Sequence, residues 1–189
     1  MEHIILFAGP MGAGKTTAIR TLSDIEVVST EAANTDREQS DKDTTTVALD
    51  YGEISITDEE KVRLYGIPGQ RRFEFMWRIL RERAEGMVLL VHIDAPDAVA
   101  SVREFIIEFF DLVERGGVVV GITRSDMAPG PTITDFTDAL ELQLPELMVP
   151  VMLVDPRDRG HMELLLMTLV ANIETRAAFG ATLETEYSA

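Results

Sequence analysis

The chain has 189 residues, 46% of them hydrophobic and 26% charged, with 17 basic and 33 acidic side chains giving a formal net charge of −16. That length and balance describe one globular domain with a substantial core, and the charge opposes nonspecific binding to nucleic acid or an anionic membrane. With no cysteine there are no disulfides, no cysteine-ligated metals and no prenyl or palmitoyl sites. The opening Met1-Glu2-His3 lacks the basic run of a signal peptide and the glycine of a myristoylation signal. No apolar run reaches spanning length, so a cytoplasmic protein without a direct membrane anchor is expected.

In chain order, residues 3–8 form a short run rich in Ile, Leu and Phe that ends in Gly9-Pro10. This predicts a buried strand feeding a loop. A helix is predicted over 14–22, followed by a polar loop over 31–43. Residues 47–56 and 61–67 are predicted strands joined by a polar turn. Phe73, Met76, Trp77 and Leu80 then recur at helical spacing. A strand at 86–91, a helix at 99–113 and a strand at 118–122 come next. A weaker helix at 134–144, a strand at 149–154 and a helix at 162–178 complete the series. The alternation predicts a single α/β domain over 1–179, with a mostly parallel sheet of about six strands, one antiparallel edge strand and helices on both faces. Residues 180–189 are expected to be a flexible tail.

Gly9-Pro10-Met11-Gly12-Ala13-Gly14-Lys15-Thr16 satisfies G-x-x-x-x-G-K-[ST] at every required position, between a predicted strand and a predicted helix. The glycines let the backbone aim its N–H groups at phosphate oxygens, and the helix adds the positive end of its dipole. The nucleotide-contacting set is Gly9, Met11, Gly12, Ala13, Gly14, Lys15, Thr16 and, in the first helical turn, Thr17. Lys15 would reach the β- and γ-phosphates, and Thr16 would offer its hydroxyl to Mg²⁺.

A phosphate loop alone does not separate kinases, ATPases and GTPases. Thr44-Thr45-Thr46-Val47-Ala48-Leu49-Asp50-Tyr51-Gly52 resembles the first switch of small Ras-like GTPases. By that resemblance Thr46 closes over Mg²⁺ and the γ-phosphate, with Thr44 and Thr45 as alternatives. Leu64-Tyr65-Gly66-Ile67-Pro68-Gly69-Gln70-Arg71-Arg72-Phe73 looks like the second switch, a D-x-x-G segment followed by a catalytic glutamine. The resemblance implies that the Gly69 N–H meets the γ-phosphate and that Gln70 orients the attacking water. Gly66 stands where the motif has the aspartate that holds the metal's water shell. Asp50 and Asp94 are both candidates to replace it, a less tightly held Mg²⁺ being the alternative. The whole pattern, over residues 4–178, is similar to a prokaryotic Ras-like group related to the polarity GTPases of gliding bacteria and to the signal recognition particle receptor beta subunit. It implies a P-loop NTPase switch that hydrolyses GTP to GDP with Mg²⁺, slowly without a partner. Its regulator or effector would be a protein of the roadblock type.

At the base-binding end, Thr123-Arg124-Ser125-Asp126 follows a predicted strand where Ras-like proteins carry N-K-x-D. A carboxylate at Asp126 can accept from both N1–H and the exocyclic amine of guanine, a donor pair that adenine lacks. Arg124 can stack on a base in place of the lysine. Thr123 recovers the asparagine's loop-bracing bonds less readily. The S-A-K motif has no recognisable counterpart; residues 154–158 stand there instead.

Other features have two readings. Arg71 and Arg72 could place a positive charge on the transition state, as could Arg37, or they are solvated ion-pair partners. The 73–80 stripe is either a partner face or a buried one. His3, His92 and His161 lack metal-site spacing. Two rival functions remain: a phosphotransferase or ATPase with Arg157 and Arg159 in a lid, and a nucleotide-binding scaffold that does not hydrolyse.

Overall fold

The structure is a computed structural model that describes residues 2–29, 49–69, 74–95, 97–126, 132–144 and 148–187. Its first strand, β1 (Glu2–Ala8), continues into a loop and α1 (Lys15–Leu22). There follow β2 (Val28–Ser29), β3 (Asp50–Ser55), β4 (Lys61–Gly66), α2 (Glu74–Arg81) and β5 (Gly86–His92). The second half holds α3 (Ala98–Glu108), α4 (Phe110–Glu114), β6 (Val118–Thr123), α5 (Ile133–Gln143), β7 (Val151–Leu153) and α6 (Arg159–Tyr187).

The strands form one seven-stranded sheet in the order β2-β3-β4-β1-β5-β6-β7. β4, β1, β5, β6 and β7 run parallel, and β3 is antiparallel to β4. Period-two alternation divides the core between the two faces. Ile5 and Phe7 of β1, with Val88 and Leu90 of β5, join Ile19, Leu22, Leu165 and Leu169 of α1 and α6. Leu6, Ala8, Met87, Leu89 and Val91 point the other way, under Trp77, Val102, Phe105, Leu112 and Phe136 from α2 to α5. Burial on both sides explains why β5 and β6 read as unbroken apolar runs.

The expected α/β architecture is present, with three differences. The sheet gains a seventh strand, because Val28 and Ser29 pair antiparallel with Tyr51 and Asp50; β3 is the strand that runs against the others, and the two-residue β2 lies outside it. Two residues are too few to leave a periodic signal. The helix expected over 99–113 breaks at Phe109, whose φ of −108° and ψ of 33° leave the helical region. The break sets the Phe109 ring, fully buried, 6.1 Å from that of Trp77. Finally, α6 starts earlier than expected and continues past Ala178 through most of the segment expected as a tail. Asp158 caps its start by accepting from the His161 N–H at 3.0 Å. Beyond Gly180, the residues Ala181, Leu183 and Glu184 favour helix, and one glycine costs only about 1 kcal/mol.

The parallel strands deliver the loops after β1, β4, β5, β6 and β7 to one end of the sheet, where open α/β sheets bind ligands. The opposite end is tied by His3, whose ring nitrogens meet Glu85 at 2.8 Å and Glu60 at 3.0 Å. These carboxylates raise its pKa.

Candidate functional site

The loop leaving β1 lies close against the sheet. Gly9 has φ +130°, and a Cβ there would fall 1.9 Å from the Leu90 carbonyl oxygen. Only glycine permits that approach. Met11 projects at the loop's apex, 77% exposed, while Ala13 is buried. Gly14 caps α1 without a side-chain hydrogen bond, and no acid occupies the first turn. In α5, by contrast, Thr132 and Asp135 form a reciprocal capping box. The start of α1 thus keeps its positive dipole end for an anion.

Lys15 folds back over the loop, donating from Nζ to the Gly9 and Pro10 carbonyl oxygens, each at 2.8 Å. Desolvation lowers its pKa to about 8, against a smaller raising effect of Asp50. A bound polyphosphate would restore the charged form. Nucleotide affinity is therefore expected to be flat below pH 8 and to weaken above it, because binding must then take up a proton. Calorimetry between roughly pH 7 and pH 9 should show affinity falling by up to about tenfold per pH unit at the alkaline end. A flat profile would show that Lys15 does not titrate there.

The segment after β4 closes on the same loop. The Ile67 N–H donates to the Phe7 carbonyl at 2.9 Å, extending the ladder beyond β4. This brings Gly69 onto the phosphate loop, so that a Cβ at Gly69 would sit 2.3 Å from the Gly9 oxygen and 3.1 Å from the Pro10 Cα. Trp77 Nε1 donates to the Pro68 carbonyl at 2.9 Å, and the indole packs 5.2 Å from the Phe105 ring. Trp77 therefore belongs to the core and anchors the Pro68-Gly69 turn. Gln70, Thr46, the alternatives Thr44 and Thr45, and Arg37, Arg71, Arg72 and Phe73 lie outside the described residues.

Beneath the loop, Thr16 Oγ1 donates to Asp50 Oδ2 at 2.5 Å, and Ser29 Oγ donates to Asp50 Oδ1 at 2.7 Å. A hydroxyl and a carboxylate side by side are the hard oxygen donors that suit Mg²⁺. Among the described residues no group of three or more His, Asp or Glu side chains gathers into a metal cage. Asp94 faces elsewhere, with Oδ1 3.0 Å from His92 Nδ1 and Oδ2 3.9 Å from Arg124 Nη1.

At the end of β6, Thr123 is 1% exposed, with its hydroxyl placed to donate to Ala13 O at 3.3 Å or Val91 O at 3.4 Å. The first of these contacts would tie the end of β6 to the phosphate loop. Arg124 adopts φ 60° and donates from Nη2 to the Gly12 oxygen at 3.0 Å. The Asp126 carboxylate is 69% exposed, with Arg157 Nη2 3.9 Å away. Arg157 is held by Asp155 at 2.7 Å; that guanidinium, with the Arg157 N–H, lowers the Asp155 pKa to about 2. The Pro156 oxygen accepts from Thr21 Oγ1 at 2.8 Å, fixing the 155–157 turn against α1. The sequence set residues 154–158 at the place of the S-A-K motif without assigning them a contact, and it gave no signal for Ser29. Both gain their positions from contacts with residues distant in the chain.

The fold is similar to the G domain of the T. maritima FeoB iron transporter, with a TM-score of 0.59 and 16% identity over 91% of this chain and 99% of that one. An uncharacterized protein of Methanocaldococcus jannaschii is 32% identical over 110 residues, which cover 58% of this chain and 62% of that protein. The chain thus spans less than two thirds of that relative's length. No helix among the described residues is long and apolar enough to cross a membrane. A P-loop between strand and helix, Lys15 folded over it and a ring of strand-end loops around it make this a P-loop nucleotide-binding protein. The model of the family described as conserved hypothetical ATP binding proteins matches residues 24–145, well over half of the chain, and the chain belongs to that family.

Proposed function

We propose that the protein is a GTP-dependent switch that binds GTP with Mg²⁺, hydrolyses it slowly to GDP and presents a different surface to a protein partner in each state. The observation that carries this reading is the approach of Gly69 to Gly9, 2.3 Å from the loop oxygen to the position of a Cβ. A segment seated so closely on the phosphate loop can sense a γ-phosphate through its backbone N–H. Lys15 and the N–H groups of Gly9 and of Met11 to Thr17 would hold the phosphates, and Thr16 with Thr46 would hold the ion, which would supply neutralisation of charge on the transferring phosphoryl group. Gln70 would orient the attacking water. Asp126 would accept from guanine, with Arg124 on the base plane and Thr123 bracing the loop. By resemblance the partner is of the roadblock type and the setting cytoplasmic.

The family description names ATP, which favours a second reading in which the base is adenine. Calorimetry on stripped protein with Mg²⁺, comparing GTP, GDP and ATP, separates the two. Guanine preference lost in Asp126→Ala supports the first; equal or better binding of ATP sinks it. Single-turnover hydrolysis should slow by roughly one to two orders of magnitude in Gln70→Ala. An unchanged rate would remove Gln70 from the chemistry.

A further inference from the structure

Gly66 closes β4 where a metal-binding aspartate is expected, and the register shows what faces it. In the antiparallel β3–β4 ladder the Cα of Gly66 is paired with that of Asp50. Side chains at directly opposed positions share one face of a sheet. A Cβ on Gly66 would lie 3.0 Å from Asp50 Cβ and 3.1 Å from Asp50 Oδ2. The Asp50 carboxylate therefore fills the volume that a side chain at 66 would need. It ends 2.5 Å from the Thr16 hydroxyl, the phosphate-loop group suited to Mg²⁺.

We propose that Asp50 is the carboxylate through which this protein couples Mg²⁺ to bound nucleotide, delivered from the neighbouring strand into the space left by Gly66. The proposal rests on nucleotide binding at the phosphate loop, and not on the base being guanine or on hydrolysis. Thr16 offers one hydrogen, now donated to Asp50. With an ion bound, Thr16 would offer it an oxygen and Asp50 would help to hold its water shell. Ser29 Oγ, donating to the other oxygen at 2.7 Å, fixes the carboxylate's rotation. Asp94 is the alternative acid, but it is directed to His92 and Arg124 on the base side. Asp50 and an aspartate at 66 exclude each other sterically, so a strand-to-strand exchange is the natural test.

Release of N-methylanthraniloyl-GDP, and separately of the ADP analogue, should be followed in Mg²⁺ and in excess EDTA. In the wild type, chelation should accelerate release by at least about tenfold, the usual range for losing a group that orients a metal's ligands. Asp50→Asn should release nucleotide in Mg²⁺ nearly as fast as in EDTA. Saturable nucleotide binding by Asp50→Asn in EDTA shows that the variant is folded, and the test is the ratio of its two release rates. The exchange Asp50→Gly with Gly66→Asp should restore the Mg²⁺ effect. Gly66→Asp alone should not strengthen it, since Asp50 Cβ at 3.0 Å and Ile19 Cδ1 at 2.9 Å crowd the site. Asp50→Asn that keeps the full chelation effect overturns the proposal, as does its loss in Asp94→Asn instead, or an exchange variant without recovery. If only the ADP analogue binds, the guanine reading fails while the same comparison on the ADP complex still decides for or against Asp50. A wild type that binds nucleotide without any Mg²⁺ effect overturns the Asp50 assignment and leaves the binding site standing.

Discussion

Gly9→Ala is expected to destabilise the protein by about 2–6 kcal/mol, lowering the melting temperature by on the order of 10 °C. Two costs combine. At φ +130° an alanine is strained by about 1–3 kcal/mol. The new methyl would also fall 1.9 Å from Leu90 O and 3.0 Å from Leu90 C, both backbone atoms. Relief requires separating β1 from β5, and neither can retreat, because β1 is paired on both sides and β5 is paired with β6. Forced overpacking of this kind costs about 1–3 kcal/mol more. Gly12→Ala isolates the conformational part. Gly12 has φ +81° but its nearest neighbour to a Cβ is the flexible Arg124 Nη2 at 3.5 Å, so only the strain of about 1 kcal/mol remains. Circular dichroism melts of the two apo variants should differ accordingly. Equal melting temperatures would show that the loop yields around Leu90.

The parts of this architecture that local sequence determines were legible before the structure. β1, β5 and β6 are buried on both faces, so each is an unbroken apolar run, and the phosphate loop has fixed spacing because its backbone geometry does. Features set by pairing across the chain were not legible. Asp50 and Asp94 were equal candidates for the missing carboxylate, since nothing in the linear order says which strand will face Gly66; the register does. Ser29 gained a place through a two-residue strand, below the length at which alternation can be counted. Phe109 sits within a continuous helical pattern, and no helix-breaking residue marks the break there, where its buried ring lies 6.1 Å from that of Trp77. The contacts open to the Thr123 hydroxyl depend on Ala13 and Val91 presenting carbonyls at the end of β6.

Lys15→Met is expected to abolish nucleotide binding while leaving the apo protein at least as stable as the wild type. The affinity loss should be on the order of a hundredfold or more, because one charge-assisted contact to two phosphates is removed from a desolvated site. The stability effect follows from the same desolvation. The folded-state pKa of about 8 lies below the ordinary lysine value of 10.5. The folded chain therefore binds fewer protons than the unfolded chain between those values, and wild-type stability must rise with pH across that window. Below about pH 8 the charged lysine is held at a cost of about 3 kcal/mol relative to its unfolded state. Methionine keeps the chain's bulk and removes that cost. Against it stands the loss of two hydrogen bonds, to Gly9 O and Pro10 O, each contributing about 1 kcal/mol net. The larger magnitude wins, so urea denaturation at neutral pH should find Lys15→Met equal or slightly more stable. Its stability should gain nothing from position 15 above pH 8, while the wild type climbs by about 3 kcal/mol and passes it. A variant that is less stable than the wild type at neutral pH, and runs parallel to it at alkaline pH, would mean that Lys15 supports the loop. The opposite result marks a residue kept at the expense of stability, which is where a fold's local preferences yield to the ligand it was built to hold.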